Sequence, residues 1–247
     1  MKKIFKYLLI IVLLCVTGLL GVYFFTPEPK TFLNQNPRIT SFMQMRIDAA
    51  KAEGINLKIF HQYLNYSNID QDLKDAVRIS EDGGFFAHNG FDFAEIKESI
   101  KKNIKKRKFA RGGSTISQQL VKNLFLSSDK SIVRKIKEAV LTFKLENQLS
   151  KFRIFSLYMN YIEFGDGVFG VQAACWTYFG KSARDVTVFE AARLASIIPN
   201  PRKYNPNKPT RRLRYRTKLL LTRLFKYKKI TRAEYSDALR EFEMFFD

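Results

Sequence analysis

The chain has 247 residues, 46% of them hydrophobic and including 23 Phe and 11 Tyr, which is enough apolar material for one sizeable core and too much for a disordered chain. Its 43 Lys and Arg against 23 Asp and Glu give a formal charge of +20, a positive field that suits phosphates, nucleic acid or an anionic membrane surface. The cysteines are Cys15 and Cys175 and the histidines His61 and His88, so a structural disulfide and a multi-ligand zinc site are both disfavoured.

Lys2, Lys3 and Lys6 precede an uncharged run from Tyr7 to Phe25. As a helix, its roughly 19 residues span about 28 Å, close to a bilayer's hydrocarbon thickness, and predict a transmembrane anchor. Lysines on the N-terminal side predict a cytoplasmic N-terminus, with everything after Pro27 on the periplasmic or extracellular side of the cytoplasmic (inner) membrane. Val22, Tyr23, Phe24 and Phe25 are bulky where signal-peptide cleavage requires small residues, which favours a retained, single-pass anchor. Pro27, Pro29 and Pro37 mark a short extended linker. The expected organisation is a basic tail over 1–6, the anchor over 7–25, the linker over 26–38 and one folded domain over 39–247. A domain placed outside the cytoplasm does not meet nucleic acid, so the charge points to a lipid head group and to membrane lipid.

Beyond the linker the pattern is mainly α, without repeats or low-complexity stretches. Ile39, Phe42, Met43, Ile47 and Ala50 recur at helical spacing over 38–52, and Leu73, Ala76 and Val77 do so ahead of Gly83 and Gly84. Ile132, Ile136, Ala139, Val140 and Phe143 form the clearest amphipathic stripe, over 131–150. Thr187 with Glu190, and Thr231 with Glu234, have capping-box spacing and predict two helix starts near the C-terminal end. The proline-rich stretch from Ile198 to Pro206 predicts a loop between them.

Three segments carry candidate chemistry. Glu81 and Asp82 fall where a helix should stop at Gly83 or Gly84, and a carboxylate at a helix C-terminus is disfavoured by the helix dipole, which raises its pKa and makes Glu81 a candidate general base. The alternative is a pair of solvated loop acids. The stretch Arg111-Gly112-Gly113-Ser114-Thr115-Ile116-Ser117-Gln118-Gln119 opens into a helix whose free N–H groups predict an anion site. Lys101, Lys102, Lys105, Lys106, Arg107 and Lys108 crowd its approach and Lys122 follows on the helix, although such a run is also what a solvated face looks like. Arg134 and Glu138 lie one turn apart, a spacing shared with ordinary exposed ion pairs. No nucleotide P-loop is present, which leaves an ATPase without support.

In chain order these segments resemble the motifs of the peptidoglycan glycosyltransferase family, the domain also found in bifunctional penicillin-binding proteins. The first is similar to Glu81-Asp82-x-x-Phe85-x-x-His88-x-Gly90, the second to Gly112 through Asn123, and the third to Arg134-Lys135-x-x-Glu138. A fourth resembles Tyr158 to Asn160 with Phe164 to Gly170 and Tyr178 to Lys181, and a fifth Glu190 to Ala195 with Pro199-Asn200-Pro201. The resemblance covers about residues 40 to 225. It implies a lysozyme-like, mainly α, two-lobed domain and, since the chain ends at Asp247, a monofunctional biosynthetic transglycosylase.

The implied reaction joins a glycan strand on undecaprenyl pyrophosphate to the sugar hydroxyl of lipid II. The resemblance implies Glu81 as base and Glu138 as a second catalytic group at the leaving pyrophosphate. Asp82, Phe85, His88, Arg111, Ser114, Thr115, Gln118, Gln119, Lys122, Arg134 and Lys135 are the implied substrate-binding residues. A divalent cation, Mg or Mn, is the expected cofactor, with no metal ligand assigned. Penicillin-binding transpeptidases and divisome proteins are the expected protein partners, and nucleic acid is not. Two rivals make different predictions: a lytic enzyme of lysozyme-like fold needs a carboxylate acid but no pyrophosphate site, and a basic membrane scaffold needs neither glutamate.

Overall fold

The computed structural model describes residues 2–106, 113–126 and 131–247. Arg107, Lys108, Arg111 and Gly112 of the basic and Gly-Gly segment lie outside them. In order, the elements are α1 (Lys2–Phe25), a 3-10 turn (Pro29–Leu33), α2 (Ser41–Ala52), β1 (Phe60–His61), α3 (Gln71–Glu81), α4 (Phe93–Lys106), α5 (Ile116–Phe125), α6 (Ile132–Gln148) and α7 (Lys151–Tyr161). There follow β2 (Glu163–Gly165), β3 (Val168–Phe169), α8 (Val171–Phe179), α9 (Val188–Ile197), α10 (Arg211–Lys226) and α11 (Arg232–Phe246).

The helix starts are written in the sequence as side-chain caps. Thr40, Asp70, Thr115, Ser131, Ser150, Thr187, Thr210 and Thr231 each accept a backbone N–H from the first turn that follows, an interaction worth about 1 kcal/mol apiece. Thr187–Glu190 and Thr231–Glu234 close reciprocal capping boxes, as their spacing predicts. Thr40 also explains why α2 begins at Ser41 rather than near Arg38, leaving Ile39 exposed ahead of the helix.

Two helical groups build the core. α5 packs on α2, α6 and α7, while α3 packs on α9 and α10, with α11 covering those two. Leu120, Phe155, Tyr158 and Phe164 on one side and Leu73, Leu194, Leu221 and Phe242 on the other are essentially solvent-free. A small sheet of order β1-β3-β2 pairs Phe60 with Val168 in parallel and Glu163 with Phe169 antiparallel.

Three expectations are corrected by the structure. The linker is not extended: Pro29–Leu33 forms a 3-10 turn, and Arg153 fastens the segment by donating to Phe32 O at 2.7 Å, Gln35 O at 2.9 Å and Asn36 Oδ1 at 2.8 Å. α3 does not stop on a glycine. It stops because Asp82 swings into extended backbone, φ −159°, while neither Gly83 nor Gly84 takes a positive φ.

The stripe on α6 faces outward. Ile132, Ile136 and Phe143 are 80%, 37% and 55% exposed, whereas Glu138, Thr142 and Lys144 are buried with Leu141 and Leu145. The helical period is right and the buried face is the other one, because the inner face must carry a charged cluster. The outer face is left apolar.

α1 is 24 residues long, and its Ile4–Phe25 stretch has a mean hydropathy of 2.8 with none of it buried in the chain, long and apolar enough to cross a bilayer. Its exit is held by Lys144, whose ammonium donates to Thr26 O at 3.2 Å and Glu28 Oε1 at 2.5 Å and lies 4.5 Å from the Tyr23 ring centroid. The same ion pair keeps the Glu28 carboxyl below its ordinary pKa.

Gly90, buried at φ +85°, marks the tightest approach near the first motif: a Cβ there would lie 2.8 Å from Thr142 Cγ2 and 2.9 Å from Glu146 Cγ. Gly90→Ala is expected to destabilise by about 1–3 kcal/mol, combining strain with overpacking. Gly54→Ala, at φ +75° with nothing within 4 Å, should lose only the backbone part, about 1 kcal/mol. Thermal unfolding of the detergent-solubilised chain, followed by circular dichroism, checks the order; equal losses would remove the steric argument.

Candidate active site

Glu81 closes α3 and keeps part of its surface accessible, while its carboxylate is hemmed in by protein. Gln119 Nε2 donates to Glu81 Oε2 at 3.1 Å and Ser80 Oγ lies 3.2 Å from Oε1. The orientation of the Gln119 amide is not free. Tyr158, fully buried, donates its hydroxyl to Gln119 Oε1 at 3.0 Å, so the NH2 end must face Glu81. Burial raises the Tyr158 phenol far above its usual range and secures it as a donor.

The pKa of Glu81 is raised, first by desolvation. The hydrogen bond from Gln119, the charge of Arg216 and the hydrogen bond from Ser80 oppose the shift, and neighbouring Asp82 adds to it. The direction matches the sequence reading, with burial as its leading cause. Arg216, on α10, is the cation that sequence reasoning missed. Its signal was visible: positions 213, 217, 220, 221 and 224 of α10 are buried, and an arginine at 216 sits on that same face.

Asp82 is buried and wholly engaged. Its Oδ2 accepts the backbone N–H of Ile116 at 3.1 Å, and His88 Nε2 lies 3.0 and 3.1 Å from its two oxygens. This carboxylate therefore occupies the start of α5, where the sequence suggested a free anion site. Thr115 and Gln118 complete the cap as a reciprocal box, and Thr115 Oγ1 also donates to Gly90 O at 2.7 Å. Asp82, Thr115 and Gln118 thus frame the start of α5. Phe85 is fully buried against Phe86 and Phe155, with Lys151 Nζ 4.4 Å from its ring centroid. Ser114 is exposed just ahead of α5.

The second cluster lies one turn farther along α5. Glu138 is 3% exposed and takes Arg134 Nη1 at 2.9 Å and the Lys135 ammonium on its two oxygens. Both of its oxygens are engaged by these cations. Lys122 interacts electrostatically with Glu138, Arg134 and Lys135, and crowding lowers its pKa through desolvation first. Its side chain reaches solvent. Gln119 and Lys122 are three residues apart on one face of α5, which links the carboxylate held by the first to the cations gathered by the second.

Asp82, His88 and Asp92 also bring one ligand atom each within 4.8 Å of one another, a trio that could take a divalent ion.

The Transglycosylase family matches residues 52–225, most of the chain and all of the clusters just described. The chain belongs to this family. Among relatives, a biosynthetic peptidoglycan transglycosylase of Herminiimonas arsenicoxydans is 40% identical over 91% of this chain and 96% of its own length. One from Nitrosomonas eutropha is 46% identical over 76% and 78%, and one from Azoarcus sp. is 47% identical over 68% and 73%. Penicillin-binding protein 1A of Haemophilus influenzae, a crystal structure, is 28% identical with a TM-score of 0.34 over 51% of this chain and 16% of that one.

In this transglycosylase the folded-state pKa of Glu81 lies above its unfolded value. Folding therefore disfavours the ionised carboxylate, a penalty absent below the unfolded pKa and complete above the folded one. Glu81→Gln should raise the melting temperature at neutral pH, and the gain should vanish as pH falls below the ordinary carboxylate range. A gain that persists unchanged in acid would remove desolvation as the cause.

Proposed function

We propose that this chain polymerises lipid II into linear glycan strands for bacterial cell-wall synthesis. The growing strand, carried on undecaprenyl pyrophosphate, is transferred to the sugar hydroxyl of lipid II. The observation that carries the reading is the pairing on one face of α5 of a desolvated carboxylate with a cationic cluster, in a chain of the transglycosylase family. A base and a pyrophosphate site are what synthesis needs, and hydrolysis of finished glycan needs only an acid.

Glu81 takes the proton from the acceptor hydroxyl as that oxygen attacks the donor's anomeric carbon, inverting the α linkage to a β-1,4 bond. The bond between that carbon and the phosphate oxygen breaks, and its electron pair leaves with the pyrophosphate. A carboxylate with a raised pKa is a better base near neutrality than an ordinary one. Lys122, Arg134 and Lys135 face the departing charge, and Glu138 holds the last two in place from behind. Ser114 and His88 flank the opening of α5, and Arg111 directly precedes the Gly112–Asn123 motif in the sequence.

Asp82, His88 and Asp92 are the residues that would hold a divalent cation, and two carboxylates with an imidazole suit Mn better than Mg. Such an ion would supply charge neutralisation beside the phosphates. The proposed membrane placement is supported by α1 and by the lysines at its start, which favour a cytoplasmic N-terminus with residues 39–247, the proposed catalytic domain, on the outer side, where lipid II is presented. Transpeptidases and divisome proteins are the partners suited to this position.

Incorporation of labelled lipid II into polymer by the detergent-solubilised chain tests the reading. Glu81→Gln should lower the rate about 10²–10⁴-fold, the contribution of a positioned base. Shortening of preformed glycan without polymer formation would establish the lytic rival instead. Gln119→Leu removes a hydrogen bond that lowers the Glu81 pKa, so the acid limb of kcat/KM should move to higher pH. A limb that stays in place would detach Gln119 from the base. Chelation should slow the reaction, with Mn restoring it more fully than Mg; equal recovery with both would argue against the imidazole-containing trio.

A further inference from the structure

A cavity of about 620 Å³ lies between α1 and α6. Gly18, Gly21 and Val22 form part of its α1 wall, and Arg134, Lys137 and Leu141 part of its α6 wall. The two glycines are unexplained by the chain itself. Neither takes a positive φ, and a Cβ added at either would meet nothing within 4 Å, so they serve neither a turn nor a close helix contact. Three residues apart on one helix face, they cut a notch into an otherwise bulky apolar helix. Gly18 precedes the helix end at Phe25 by about 10 Å of rise, so the notch begins inside the hydrocarbon and runs to the exit.

The α6 wall has the opposite character. Lys137 is exposed and makes no ion pair among the described residues, and Arg134 is the same guanidinium that holds Glu138. An apolar slot joined to two cations fits a hydrocarbon chain that carries a phosphate, and the volume is that of an ordinary small-molecule site. A bulk phospholipid would suit the slot, but Arg134 ties it to the cluster assigned to the leaving pyrophosphate.

We propose that this cavity seats the phosphate-proximal isoprene units of the polyprenyl carrier, with Arg134 and Lys137 on its phosphate. The proposal rests on the glycan-polymerase reading and deepens it, because it makes the anchor part of the substrate site. The clamp of Lys144 on Thr26 and Glu28 keeps the two walls of the slot together.

Binding of undecaprenyl phosphate to the full chain in phosphatidylcholine nanodiscs, measured by native mass spectrometry, tests it without turnover. Gly21→Leu puts a side chain into the notch at a position where an added Cβ meets nothing within 4 Å, and should weaken binding roughly tenfold, equivalent to about 1.4 kcal/mol. Lys137→Gln should weaken it severalfold. Thr17→Leu, exposed on α1 outside the cavity lining, should bind as wild type does. Unchanged binding in Gly21→Leu overturns the proposal, as does equal displacement of undecaprenyl phosphate by phosphatidylglycerol, which would make the slot a general anionic-lipid site. Because the readout is binding, absence of polymer in the lipid II assay would count against the polymerase reading and leave this result intact.

Discussion

The carboxylate of Asp82 is the contact on which the rest of the site depends. By turning out of α3 it ends that helix, accepts the first N–H of α5 and takes His88 as a second partner. One buried acid thereby joins the end of one helix to the start of another, and Glu81 and Gln119 are brought face to face as a consequence. A helix N-terminus carries partial positive charge, so an internal carboxylate stabilises it while losing its availability to any external anion. The cations gather instead on side chains farther along α5 and on α6.

That shift explains the unusual face of α6. Lys122, Arg134 and Lys135 can surround Glu138 only where α6 turns its charged side inward, and the hydrophobic side then has no protein core to enter. Ile132, Ile136 and Phe143 are exposed, as are Phe86 and Phe152, whose rings lie 5.3 Å apart, in a chain that also carries a helix long and apolar enough to cross a bilayer. Large exposed apolar patches mark contact with lipid or another apolar partner.

The sequence carried the helices plainly, because their starts are encoded by single capping residues and their lengths by the 3.6 period. What it could not carry was which face is inside. For α6 the stripe of Ile132, Ile136 and Phe143 has the right spacing, but periodicity is blind to whether an apolar face meets protein or lipid. The raised pKa of Glu81 and the pairing of Arg134 with Glu138 were legible in the sequence. The framing contacts at the start of α5 were not. Thr115 and Gln118 have the same capping-box spacing as Thr187 and Glu190, yet lying inside a recognisable motif they read as binding residues. Arg216 lay too far along the chain for any local pattern to join it to Glu81; only the packing of α10 on α3 does so.

The fastening of the anchor exit sets the mechanics of the molecule. Lys144 grips the last turn of α1 and Glu28, and Arg153 takes three acceptors along the following segment, so no slack remains between the membrane helix and the folded body. The position of α1 against the folded body is thus held by Lys144 and Arg153 as well as by the chain itself. Both residues lie outside the Glu81 and Glu138 clusters, so a substitution at either would loosen the join while leaving the hydrogen bonds of both clusters in place.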